Sequence, residues 1–424
     1  MSSSRRRPFR SASALVLLGA TCLLPSGVAA QERAPTDSVR TLFVSDSVPG
    51  FGAVGGVAVD ALGYRYLADF RNAVWRLSPD GMLERFADGL YGASGNAIGP
   101  RGELYQSSFH GNYITRVERD GTMETWVDEG LAGPVGIAVA EDGALFVTSC
   151  NDGSIQRVAP DRTVTTFARS ELLACPNGIT FDDRGDLWVV NFNNPHVVRI
   201  MADGTVTSAA QITGAGGNGH ITFARDGFYV TQFRGNRIFR LERDGSVRAL
   251  AGTGQPGGAD GPALEATFTR PNGIAAGPSG DVLWVNDLVE RPALGRGTTR
   301  VAFREIRLLS LADVLAEVPT EAGVEGLEEA YRRYRARRPG EETSPSAVTQ
   351  AYAFLSGGRV GDGVALLRLN AESYPDDANA QFHLGEGYRY TGRPDEAAAQ
   401  YRRVLELAPE HGQAAARLEL VAGG

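Results

Sequence analysis

The side chains of this chain that could do acid–base or ligand chemistry are unevenly placed. Of its five histidines, His110, His196 and His220 sit in two recurring contexts, just ahead of a short apolar run or just behind one. Asn177, Asn218 and Asn272 share the first context with His220; Asp69, Asn191, Asn193, Gln232, Asn236, Asn286 and Asp287 share the second with His110 and His196. Imidazole titrates near neutrality and can move a proton, and amide and carboxylate oxygens are strong acceptors. Loops are also where polar residues ordinarily belong, so some scaffold must gather these contexts before they make a site.

That scaffold is a repeat. Residues 176–204, PNGITFDDRGDLWVVNFNNPHVVRIMADG, read as two apolar strands around an acidic/Gly turn, a polar loop, then a third strand ending in Asp-Gly. The same order starts near Gly56, Gly95, Gly136, Gly219 and Gly273. Strand-only repeats of about 40 residues predict propeller blades, and six units predict an all-β six-bladed β-propeller. Asp80-Gly81, Asp120-Gly121, Asp203-Gly204 and Asp244-Gly245 are hairpin signals, since both turn positions favour positive φ. The third unit carries Pro160-Asp161-Arg162 instead, which reads as a longer turn. Arg76, Arg116, Arg157, Arg199 and Arg240 recur in third strands and are expected to join neighbouring blades.

The last unit supplies three strands (273–276, 281–287 and 301–310), and residues 39–47 look like its missing fourth. Closure by the N-terminal strand would remove an exposed sheet edge. In such a ring the links between blades and the ends of second strands share one rim around the central channel. His110, Asn191, Asn193, Asn218, Gln232 and Asn272 are accordingly expected to line a ligand-binding rim, for a small molecule or glycan. Cys150 and Cys175 fall on the same rim and are expected either to form a disulfide or to remain two buried thiols. The glycine runs at 214–219 and 252–257 spell G-x-G-x-x-G but lead into strands, so they are inter-blade loops rather than dinucleotide sites.

Composition narrows the rest. Arg5, Arg6, Arg7 and Arg10 precede an apolar stretch at 15–24 and small residues at 28–30, the pattern of a cleavable signal peptide over residues 1–30 followed by a linker at 31–38. Export to the periplasm or the medium follows, with no membrane segment after cleavage. The formal net charge is −8, and removing those four arginines takes it to −12. An acidic exported chain is a poor nucleic-acid partner. The chain contains no lysine, which excludes Schiff-base and P-loop chemistry.

Residues 251–287, AGTGQPGGADGPALEATFTRPNGIAAGPSGDVLWVND, resemble an NHL repeat, and residues 39–312 as a whole resemble the superfamily that also holds SMP-30/gluconolactonase-like lactonases and streptogramin lyases. Resemblance to the lactonases implies a divalent metal, calcium or a related hard ion, on the rim. Asn177 and Asn272 match the Pro-Asn-Gly motif that carries their metal-binding Asn, and Asp287 or Asp69 would supply the Asp. The family's N-terminal Glu has no counterpart in PGFGAVGGV at 49–57. Resemblance to the streptogramin lyases implies His220 or His196 as a catalytic base, although the Glu-bearing strand ends of that family are replaced by neutral residues at 146–149 and 229–232.

Beyond residue 312 the pattern turns helical: a connector and linker at 313–341, then 342–424. Leu384-Gly385, Tyr388, Gly392, Ala397, Tyr401 and Pro409 are similar to the tetratricopeptide (TPR) consensus, and 344–377 is a degenerate copy in register, with a capping helix after 411. The expected class is thus an all-β propeller followed by an all-α TPR helical-repeat domain whose groove takes a protein or peptide partner. Two functions remain in competition: a binding module acting through rim and groove, and a metal-dependent lactonase, hydrolase or lyase on the same rim.

Overall fold

Short polar turns define the blades. Gly81, Gly121, Gly204 and Gly245 take φ of 89°, 88°, 83° and 89°, a region open to glycine without side-chain penalty. Asp120, Asp203 and Asp244 close their turns by accepting the N–H two residues on, each at 2.9 Å. In the third blade Asp161 does the same for Thr163 at 2.9 Å, and Arg162 occupies the glycine's place at φ 73°. The Pro160-Asp161-Arg162 turn is therefore the common turn with a costlier residue, not a longer one.

The computed structural model describes residues 36–422 apart from 46–47, 49, 291–299 and 339; the expected signal peptide lies outside the described residues. The strands form six sheets, five of them four-stranded meanders in sequence order. The sixth contains Ile274–Ala276, Val282–Glu290 and Arg300–Arg307, and Ser38–Val44 pairs antiparallel with the last of these. This is a six-bladed β-propeller whose final blade borrows the N-terminal strand. Apolar residues fill each blade boundary; Phe146, Ile155, Ile179 and Val189, for example, pack together across blades three and four.

At the axis the blades meet backbone to backbone. A Cβ on Gly95 would stand 2.2 Å from the Val135 carbonyl oxygen, on Gly136 2.2 Å from that of Asn177, and on Gly178 2.6 Å from the His220 backbone. A Cβ would stand 3.0 Å from the Asn272 carbonyl on Gly219, 2.6 Å from that of Gly55 on Gly273 and 2.9 Å from Gly95 on Gly56, so the contacts run once around the ring and return. The first strands of blades two to five carry a register irregularity at these glycines, which lets a strand bend locally.

The arginine ladder behaves differently from the sequence expectation. Arg116 pairs with Glu124 at 3.1 Å, Arg157 with Asp142 at 3.1 Å and Arg199 with Asp186 at 2.8 Å, all within their own blades. Among the described residues, Arg76 alone of these five also reaches a neighbouring blade, donating to the Arg119 carbonyl at 2.8 Å. The guanidinium is long enough to find a carboxylate on its own sheet before it reaches the next.

After the ring come α1 (Leu311–Ala316), α2 (Gly323–Arg337), α3 (Ser344–Ser356), α4 (Val360–Ser373), α5 (Ala378–Tyr390), α6 (Pro394–Leu407) and α7 (Gly412–Ala422). Ser310 opens α1 with a reciprocal capping box to Asp313. α1 and α2 share one core with α3 and α4 through Leu315, Leu327, Tyr331, Phe354 and Leu366; the connector is thus packed helix. The module meets the propeller at Arg225, in the turn between the first two strands of blade five. Arg225 donates to Glu341 at 2.7 Å and to Tyr334 at 3.0 Å, while Arg338 pairs with Asp37. That turn lies at the opposite end of the blade from the inter-blade links, so the helices leave the linked face open.

Gly95→Ala is expected to lower stability by about 3 kcal/mol, because the Val135 carbonyl has nowhere to retreat. Gly361→Ala, with nothing near its would-be Cβ, is expected to be neutral or to stabilise by up to about 1 kcal/mol. Urea unfolding of both variants checks the contrast.

Candidate functional site

Three consecutive positions at the end of every second strand build the linked face. The first of them, in blades two, three, five and six, braces the ring of glycines. Ser107 donates to the Gly95 and Val135 carbonyls at 2.9 and 2.7 Å. Thr148 donates to the Asn177 carbonyl at 2.8 Å and accepts the Gly136 N–H at 2.7 Å. Thr231 bridges the Asn272 carbonyl and the His220 N–H, and Asn286 bridges the Gly55 carbonyl and the Gly273 N–H.

The second position ties down the incoming link. Asp69 accepts the Gly52 N–H at 3.1 Å, Asn191 the Ala174 N–H at 3.0 Å and Asp287 the Thr269 N–H at 2.8 Å. Asn191 also donates to the Leu172 and His196 carbonyls, both at 3.0 Å. Gln232 contacts Asn218 in the same layer at 3.5 Å. Asp69, Asn191, Asn218 and Asp287 are wholly buried, and Gln232 nearly so. These residues, expected to greet a ligand, are turned into the protein, because a link crossing the top of a blade leaves N–H groups that need an internal partner. Asn272 likewise donates to the Val54 and Gly55 carbonyls at 3.2 and 3.3 Å.

The third position was overlooked in the sequence. It reads Phe70, Phe109, Cys150, Phe192, Phe233 and Leu288 around the ring. Phe70 meets Phe109 with ring centroids 5.9 Å apart, Phe192 meets Phe233 at 5.9 Å, and Phe233 packs on the cluster that holds Leu288 and Phe51. The four phenylalanines are partly exposed and form an apolar collar. At the one blade with no large apolar side chain, Cys150 is bonded to Cys175 of the following link. The recurrence of Phe at the blade period is readable in the sequence, although polar residue types alone do not reveal it.

The remaining candidates scatter. His110 is exposed and packs among Phe70, Tyr91 and Phe109 at 5.1–5.5 Å between centroids. His196 opens a third strand, with Nδ1 2.9 Å from Ser208 Oγ on the outer strand. His220 is buried, and burial pulls its pKa down to about 4, so it is neutral at pH 7 and a weak base. Asn193 is exposed in the loop beyond the collar. No contact joins His196 to His220 among the described residues.

The oxygen set that a hard cation needs is not assembled. Asn177 Oδ1 is a buried acceptor without a partner, as is Asp287 Oδ2, and both suit such an ion. Asp69 accepts N–H groups with both oxygens, whereas Asp287 accepts one with Oδ1 and holds Oδ2 3.6 Å from the buried Arg304. Burial raises the Asp69 pKa, opposed by the Gly52 and Arg71 N–H groups. Burial raises that of Asp287 to about 8, opposed by Arg304 and the Thr269 N–H. Among the described residues no three His, Cys, Asp or Glu side chains converge. These residues do not fit a calcium-type centre.

Asp287 makes a pH prediction. Its folded pKa lies above the unfolded value of about 4, so the folded state holds the proton more tightly. The associated stability is complete below about pH 4 and is lost as pH rises through about 8. Asp287→Asn keeps an acceptor for Thr269 and cannot titrate. Melting temperatures measured from pH 4 to 8 are expected to fall more steeply for the wild type than for this variant.

Comparison with known proteins agrees with this architecture. The Virginiamycin B lyase family model matches residues 84–316, and a tetratricopeptide repeat model matches residues 378–411. No curated protein matches the chain. Among solved structures, a gluconolactonase from Xanthomonas campestris is 17% identical, with TM-score 0.50 over 64% of this chain and 90% of that one. An auxiliary nutrient binding protein from Bacteroides thetaiotaomicron is 17% identical, with TM-score 0.51 over 61% and 69%. A catalytically inactive virginiamycin B lyase from Staphylococcus aureus, crystallised with quinupristin, is 21% identical, with TM-score 0.46 over 62% and 83%. Such identities speak to the fold alone. The family match covers more than half of the chain, and the protein belongs to the Virginiamycin B lyase family, with a tetratricopeptide module attached.

Proposed function

We propose that the protein is an exported binding protein, its propeller mouth holding a small-molecule or glycan ligand and its TPR module engaging a protein or peptide. The collar carries this reading. Ser107, Thr148, Asn191, Thr231 and Asn286 of the linked face brace backbone, whereas Phe70, Phe109, Phe192 and Phe233 remain partly exposed in one layer. Aromatic faces ringing a concave mouth are a binding surface, since they offer large apolar area at little conformational cost. The helices attach at the far ends of the blades through Arg225 and Glu341, which leaves mouth and groove free to act together. No helix among the described residues is long and apolar enough to cross a membrane.

A metal-assisted reaction on the same face is the second reading, and the unpartnered Asn177 Oδ1 favours it. One titration series separates the two. The neutral dye N-phenyl-1-naphthylamine is expected to bind one to one, with chelator making no difference, and Phe192→Ser to weaken it about tenfold. Absence of binding, or binding untouched by the substitution, would sink the mouth reading. One calcium ion bound tightly and lost in Asn177→Ala would favour the catalytic one.

A further inference from the structure

We propose that the sector of the mouth spanning blades four to six is an anion-binding cleft that takes an amphipathic anion: a flat apolar body bearing one carboxylate or comparable group. The inference rests on the mouth reading above and adds a charge to it.

Arg234 and Arg270 are the reason. Arg234, directly after the collar residue Phe233, lies over the Phe192 ring at 5.1 Å, and Arg270, in the link into blade six, lies over the Phe233 ring at 5.6 Å. Those two rings are neighbours at 5.9 Å, so two guanidiniums sit on adjoining aromatic faces. Both line one cleft of about 300 Å³ with Asn236, Pro256, Thr269 and Leu288. Among the described residues neither has a carboxylate partner, in contrast to the third-strand arginines, which end on Glu84, Glu124, Asp142, Asp186 and Glu242.

The backbone holds this arrangement at a cost. Arg270 and Asn236 both take left-handed conformations, at φ 62° and 53°, a region that asparagine enters more readily than arginine. They are tied together, the Arg270 N–H donating to Asn236 Oδ1 at 3.1 Å. On the other side the glycine-rich link comes close. A Cβ on Gly217 would stand 3.3 Å from Arg234 Cγ and 3.5 Å from the Phe192 ring, so glycine there keeps the space over both side chains open.

Two like charges sharing one cleft repel, and an anion between them removes the penalty. The chain is acidic, at −8 overall, so it offers anions no general attraction and the preference must be local. Planar guanidiniums receive a carboxylate in a fork geometry, while Pro256 and Leu288 give the cleft apolar lining and the Phe192 and Phe233 rings back the two guanidiniums. A volume of about 300 Å³ suits a small molecule.

Two dyes with one skeleton supply the test: 8-anilino-1-naphthalenesulfonate and its neutral counterpart N-phenyl-1-naphthylamine, titrated by fluorescence into the full chain. The sulfonate is expected to bind at least about tenfold more tightly. Arg234→Gln with Arg270→Gln is expected to erase that difference while leaving the neutral dye in place. Benzoate is expected to displace the sulfonate, and inorganic phosphate at equal concentration to fail. Equal affinities for the two dyes, sulfonate binding unchanged in the double variant, or displacement by phosphate as good as by benzoate would each overturn the proposal. Should the double variant lose both dyes, Arg234→Gln alone at its exposed position decides: it must weaken the sulfonate severalfold and spare the neutral dye. Failure of the neutral dye in the wild type counts against the mouth reading itself; failure of the sulfonate to gain counts only against the anion.

Discussion

Everything in the propeller depends on how closely its first strands approach one another. Around the axis each strand fills the space where the preceding blade's glycine would carry a Cβ, with separations of 2.2–3.0 Å at which a side chain would force the neighbouring backbone to shift. Six such contacts close on themselves, so a methyl group at one of them would strain the whole circle. Close backbone approach also buries carbonyls and N–H groups that the sheets alone do not pair. Such groups are costly unless satisfied, and Ser107, Thr148, Thr231 and Asn286 satisfy them from the second strands.

The same logic sets what the face can do. A polar side chain one position further on, at Asp69, Asn191 or Asp287, is claimed by the link that crosses above it. What is left for the solvent is the next position, where the repeat places phenylalanine in four blades, a disulfide-bonded cysteine in one and leucine in another. The partly exposed layer of this face is therefore aromatic, with Arg234 and His110 exposed beside it. At the other end of the blades, Arg225, Tyr334, Glu341 and Arg338 form a largely buried ionic junction. It fixes the helices to blade five and keeps them clear of the mouth.

Much of the architecture was legible because it is periodic. Asp-Gly turns, glycine-led first strands and the Leu384–Pro409 pattern are regular signals, and the fold and the family match agree with them. The orphan strand at 39–47 was readable by counting strands, since a three-stranded last blade leaves an edge, and Ser38–Val44 takes that edge. Misreadings came where the direction of a side chain mattered. Whether Asn191 faces a ligand or a link N–H depends on one step of strand alternation, and whether Arg116 reaches its own sheet or the next depends on where the nearest acceptor lies; neither is encoded in residue type. The Pro160-Asp161-Arg162 turn misled because Arg162 accepts a conformation expected only of glycine.

The central claim is a division of labour between adjacent residues, the polar one bracing and the aromatic one binding. Its most direct test measures unfolding free energy and neutral-dye affinity in Asn191→Ala and Phe192→Ala side by side. Asn191→Ala should cost about 1–3 kcal/mol of stability by stranding the Ala174 N–H, with affinity nearly intact. Phe192→Ala should lose most of the affinity with a smaller loss of stability. The reverse, binding lost with Asn191 and kept without Phe192, would contradict the account and return the polar rim to the role of ligand site.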